Sequence, residues 1–209
     1  MKKILYLFLV IFSIQAYGQV KLGVKVSPSF VMNRIKSDSD SANVSNDGTG
    51  FRPSFGLIAE IPLSSNYAFG TGVTYISKII KLKIDPLNSP PVSQKYIVQY
   101  VQIPITIKLF TNEISIDKKL YFQTGFNAEI QVYNENKSEG EDAIAKFAVF
   151  DLPLVFSGGA ELNLGVQTIL FFGITYQRGL INVSNKENFA NKSFSVKNDL
   201  LGFDIGIKF

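Results

Sequence analysis

Residues 120–133 read LYFQTGFNAEIQVY, and this stretch decides the fold. In an extended chain Leu120, Phe122, Phe126, Ala128, Ile130 and Val132 fall on one side. Tyr121, Gln123, Gly125, Asn127, Glu129 and Gln131 fall on the other. That is a period of two, the repeat of a strand with one apolar and one polar face. Residues 201–209, LGFDIGIKF, repeat it, with Leu201, Phe203, Ile205, Ile207 and Phe209 opposed to Gly202, Asp204, Gly206 and Lys208. Residues 20–27 do the same, Val20, Leu22, Val24 and Val26 alternating with Lys21, Gly23, Lys25 and Ser27.

Similar segments at about 52–62, 67–80, 96–110, 149–163 and 168–181 bring the expected total to eight strands. The connections alternate in length. Long polar ones cover 33–51, 82–95, 134–148 and 182–198, and short ones cover 63–66, 111–118 and 164–167. Four long and three short connections suit eight antiparallel strands with both chain ends at the short-turn side. Outer-membrane barrels have this asymmetry, and closing the sheet leaves no unpaired edge.

Composition agrees with that reading. Phe and Tyr number 18 and 9, while Trp, His and Cys are absent. Without cysteine there is no disulfide, thiolate or acylated N-terminal cysteine. The start of the chain, MKK followed by ILYLFLVIFSI and QAYG, has the basic, apolar and small-residue regions of a secretory signal peptide over 1–18, with the mature domain at 19–209. Its apolar run is short of the roughly 20 residues that a spanning helix needs. The net charge of +4 falls to about +2 without Lys2 and Lys3, and the remaining charges form no basic face, so nucleic acid is not an expected partner.

Alternation alone leaves open which face points outward. The polar face collects Lys25, Glu60, Lys108, Glu129, Glu161, Asp204 and Lys208. Turned to lipid these would cost several kcal/mol each, whereas inside a barrel they can pair as a structural charge network. The rival is a soluble periplasmic, lipocalin-like barrel holding a small apolar ligand in its cup. Its outer surface would then be mostly Gly and Ala, poor in charge. Aromatics near the strand ends also suggest two interfacial girdles: Tyr67, Phe69, Phe110, Phe122 and Phe209 at one end, Phe30, Tyr75, Tyr133, Phe150 and Tyr176 at the other.

The segments VKLGVKVSPSF, YVQIPITIKLF, SGGAEL, FFGITYQRGLINVS and GFDIGIKF, with the leader, resemble the PorT-like outer-membrane β-barrel family of Bacteroidetes over essentially the whole mature chain. The resemblance implies an integral eight-stranded outer-membrane barrel, with some relatives in type IX secretion and gliding. It implies no catalytic motif.

The remaining candidate sites have structural readings. Pro104 and Pro153 remove ladder donors inside strands, and a bulge at each is expected. Gly70, Gly72, Gly158, Gly159, Gly202 and Gly206 are expected to leave room for larger neighbours. Asp38, Asp40 and Asp47 lack the glycine and terminal glutamate of an EF-hand loop, so a solvated loop is expected rather than a calcium site. Asp40-Ser41-Ala42 resembles a Bacteroidetes O-glycosylation acceptor, and Asn88-Ser-Pro-Pro91 reads as a stiffened turn. With no histidine, no Ser-His, Cys-His or His-metal centre can be assembled. A carboxylate pair such as Glu129 with Glu161 has the chemistry for a glycosidic bond, but a filled lumen gives it no cleft.

The expectation is therefore a non-enzymatic outer-membrane barrel without cofactor or metal. Its partners are outer-membrane lipid, the barrel-assembly machinery and an envelope or secretion protein reached through long extracellular loops. Phe209, an aromatic closing an alternating strand, is read as the assembly signal.

Overall fold

A computed structural model describes residues 20–37, 42–86, 90–138, 143–165, 167–187 and 194–209. The leader at 1–18, Asp38, Asp40, Ser41 and Asn88-Ser89 lie outside them. The wall consists of β1 (Lys21–Ser37), β3 (Gly50–Pro62), β4 (Tyr67–Pro86), β5 (Val92–Phe110), β6 (Lys118–Asn136), β9 (Leu154–Asn163), β10 (Ile169–Arg178) and β12 (Phe194–Lys208). Each pairs antiparallel with the next, and β1 pairs with β12, so the eight strands close on themselves. Phe209 completes the seam: its N–H donates to the Leu22 carbonyl at 2.7 Å, and the Leu22 N–H donates to the Phe209 carbonyl at 3.1 Å.

Four short strands sit at the long-loop end. β2 (Ala42–Asn46) lies along β4, β8 (Phe150–Asp151) along β6, and β7 (Ile144–Phe147) pairs with β11 (Ser184–Glu187). The short turns fall at the opposite end, after Pro62, Phe110 and Asn163.

The apolar faces point outward. Val24, Leu57, Val73, Phe172, Ile174 and Ile205 are each about half exposed, Leu57 most of all at 64%, while the alternating polar positions are buried. A soluble cup with an apolar lining is thereby excluded. The outward apolar run on β1, from Leu22 to Phe30, spans nine residues, about the 9–11 that a tilted membrane strand needs.

The wall is taller than the membrane. β4 has 20 residues and β5 and β6 have 19 each, so much of the expected long connection at 82–95 is strand. Above the lipid band the two faces exchange character. On β4 the outward residues change from Tyr67, Phe69, Val73 and Tyr75 to Lys81, Lys83 and Asp85. The inward residues change from Gly70 and Thr74 to the buried Ile80, Leu82 and Ile84. These join Val31, Tyr96, Val98, Val196 and Leu200 in an apolar core, which Ala143, Ile144, Phe147 and Val183 of the loop segments cap. The loop end is thus a water-facing head with its own core.

Three local expectations need correction. The register shift in β5 and β6 lies between Gln99 and Tyr100, not at Pro104, which pairs in register with Asn127. Pro104 instead falls in a gap in the β4–β5 ladder, between the pairs Gly70–Thr106 and Thr74–Gln102, where a residue without an N–H interrupts the pairing. Pro153 stands between β8 and β9, where it breaks the strand. Phe110 lies on the same strand face as Lys108, inside the barrel mouth rather than in a girdle.

Candidate functional site

The polar lumen is built in layers. At the turn end Glu60 of β3, Lys108 of β5, Glu161 of β9 and Lys208 of β12 meet across the barrel. Lys208 Nζ donates to Glu60 Oε2 at 2.8 Å and Glu161 Oε1 at 2.7 Å. Lys108 Nζ reaches Glu60 Oε2 at 3.1 Å and also donates to Glu161 Oε1. Two cations thus share two carboxylates, the arrangement that lets buried charges persist. The Lys108 ammonium also lies 3.9 Å from the Tyr121 ring centroid and 5.5 Å from that of Phe171. Six of the eight wall strands contribute to this plug.

Glycines shape the plug. A Cβ on Gly159 would lie 2.8 Å from the Tyr121 ring and one on Gly173 2.2 Å from its hydroxyl, so both make the bay that Tyr121 occupies. Gly206 does the same for Phe171, whose ring would be 2.4 Å away. Gly158 faces the opposite way and has room, its nearest neighbour being the Tyr121 carbonyl at 3.8 Å.

One layer up, Asp204 accepts from Ser27 Oγ, from Thr175 Oγ1 at 2.5 Å and from Lys25 Nζ at 3.5 Å. A third layer holds Lys78 between Glu129 at 2.6 Å and Asp151 at 3.3 Å. Gln102 Nε2 donates to Glu129 at 2.5 Å and to Gln177 at 3.0 Å, and the Tyr100 ring stands 5.0 Å from the Lys78 ammonium. The void left among these layers is about 60 Å³, room for a few waters.

All seven charged residues singled out in the sequence face the lumen, in three separate groups. Glu129 and Glu161 are in different groups, the first against Lys78 and the second against Lys108 and Lys208. Lys78 and Asp151 escaped the sequence reading. Lys78 sits in the apolar run Ile76–Ile80, and Asp151 precedes the strand break at Pro153. Asp47 is exposed, and its N–H donates to the Lys81 carbonyl at 3.2 Å. Among the described residues no three carboxylates gather to hold a metal ion.

Outside, where the lipid band ends, Arg34 forms a bidentate pair with Asp199: Nε to Oδ2 at 2.6 Å and Nη2 to Oδ1 at 2.9 Å. Arg34 Nη2 also donates to the Gly179 carbonyl at 2.7 Å, and Tyr176 donates its hydroxyl to Asp199 at 3.3 Å.

A family model described as outer membrane protein beta-barrel domain matches residues 15–185. No curated protein matches the chain in sequence. Among solved structures the chain is similar to Neisserial surface protein A, with a TM-score of 0.54 and 12% identity over 90% of this chain and 95% of that one. It is also similar to the outer membrane protein OprG from Pseudomonas aeruginosa, with a TM-score of 0.57 and 11% identity over 91% and 96% of the two chains. At these identities the likeness is one of fold.

Proposed function

The chain belongs to the outer membrane protein beta-barrel domain family, and on that premise we propose that it is a non-enzymatic outer-membrane protein acting through its loop-end head. The barrel is its anchor, and the head, on the cell exterior, is its interaction surface. The partner is an envelope-assembly or secretion protein, and the PorT-like resemblance puts the type IX apparatus first among these.

The observation that carries this reading is the filled lumen. Among the described residues, three layers of paired charge and an apolar core above them occupy the lumen, and the void among the charged layers is about 60 Å³. An eight-stranded wall has an interior that side chains can fill. What the protein presents to other molecules is therefore its outside and its ends. The head suits this role because its described strands share an apolar core of their own.

The test compares wild type with a headless variant, in which short turns replace residues 79–97 and 134–150. Both are crosslinked in the envelope and sized after extraction. The wild type is expected in an assembly larger than the monomer, and the variant as a monomer that still shifts on an unheated gel. Equal sizes for the two folded proteins would contradict the proposal.

A further inference from the structure

Just above the outward apolar band, β1, β2 and β12 border an open groove of about 710 Å³. Arg34, Lys36 and Lys197 line it, and among the described residues no carboxylate does. We infer that this groove binds the phosphorylated headgroup of an outer-leaflet lipid.

Arg34 and Lys197 are direct cross-strand partners in the β1–β12 register, both on the outward face. Like charges directly opposite one another destabilise a sheet, and an anion between them reverses the sign of that interaction. Asp199 does not serve this purpose for the groove. It engages Nε and Nη2 of Arg34 and fixes the guanidinium plane, while Nη1 has no acceptor among the described residues. Lys36 and Lys197 likewise form no ion pair among the described residues. The Nη1 edge of Arg34, left over by Asp199, stands beside two ammonium groups, a set of donors that suits phosphate oxygens in charge.

The setting selects a lipid over a free anion. Phe30, Met32, Leu201 and Phe203 continue the same outward face toward the membrane, so acyl chains would lie on them while the headgroup reached the groove. Met32 and Arg34 are two residues apart, about 7 Å along a strand, the step from acyl chain to headgroup. Basic residues beside an anionic membrane surface favour such binding.

The inference rests on the orientation proposed above, and its test does not depend on that orientation. Purified, detergent-folded protein is titrated with diphosphoryl lipid A, with its dephosphorylated form and with inorganic phosphate, for wild type and for Lys36→Glu/Lys197→Glu. Folding of each is verified by the unheated-gel shift. The wild type should bind the phosphorylated lipid at least about tenfold more tightly than either comparator, and the double variant should lose that preference. Equal binding of the two lipids, a preference that survives charge reversal, or phosphate binding as tight as lipid would overturn it. A reversed orientation would leave these titrations unchanged and would show instead as failure of head residues to label on intact cells.

Discussion

Lys78 Nζ donates to Glu129 Oε2 at 2.6 Å, at the height where the wall exchanges its polar and apolar faces. Below this bond, lysines and carboxylates are packed inside and Val, Ile and Phe face lipid. Above it, Ile80, Leu82 and Ile84 point inward and Lys81 and Lys83 outward. The ion pair is the last polar layer before the apolar core of the head.

Replacing Lys78 with Met leaves Glu129 and Asp151 buried without their cation. Breaking one side of a buried pair costs about 3–5 kcal/mol, and that loss is expected in urea unfolding followed by gel shift. Adding Glu129→Gln and Asp151→Asn should restore part of it. An unchanged midpoint for Lys78→Met would mean that the layer contributes nothing.

Gly158 and Gly159 are neighbours with opposite expectations. Gly159→Ala drives a methyl group to 2.1 Å from the Phe172 carbonyl and into the Tyr121 bay, so a loss of about 1–3 kcal/mol or failed assembly is expected. Gly158→Ala adds a methyl group on the lipid side with space around it and should stay within about 0.5 kcal/mol of wild type. Unfolding in lipid vesicles measures both.

Removing Phe209 takes away both backbone hydrogen bonds to Leu22 at the closing seam and an outward ring that is 60% exposed. The yield of heat-modifiable protein in the outer membrane should fall, while Phe209→Tyr should assemble normally. Normal yield of the shortened chain would remove Phe209 from the assembly signal.

Much of this architecture is legible in residue order. Alternation in 120–133 and 201–209 gives the wall strands, and the short connections at 63–66, 111–118 and 164–167 fall where the tight turns are. The height of the wall was hidden because the alternation changes phase. Lys81 and Lys83 sit at odd positions that, lower on β4, are apolar, so a strand leaving the membrane reads as a polar loop. The charged lumen residues followed from strand parity, but their partners did not. Which lysine meets which carboxylate depends on stagger around the barrel, and Lys78 looks apolar by its neighbours. The shift at Gln99/Tyr100 has no proline or glycine to announce it.

The most direct test of a lipid-anchored barrel with an inverted head is spin labelling along β4. The chain has no cysteine, so single cysteines from 67 to 85 can be labelled without background. In lipid vesicles, labels at the outward positions 69, 73 and 75 should collide with oxygen and not with a water-soluble nickel chelate. Those at 81, 83 and 85 should collide with the chelate, and those at 74, 80 and 82 with neither. Chelate access at 69, 73 and 75, or lipid access at 81 and 83, would contradict the account.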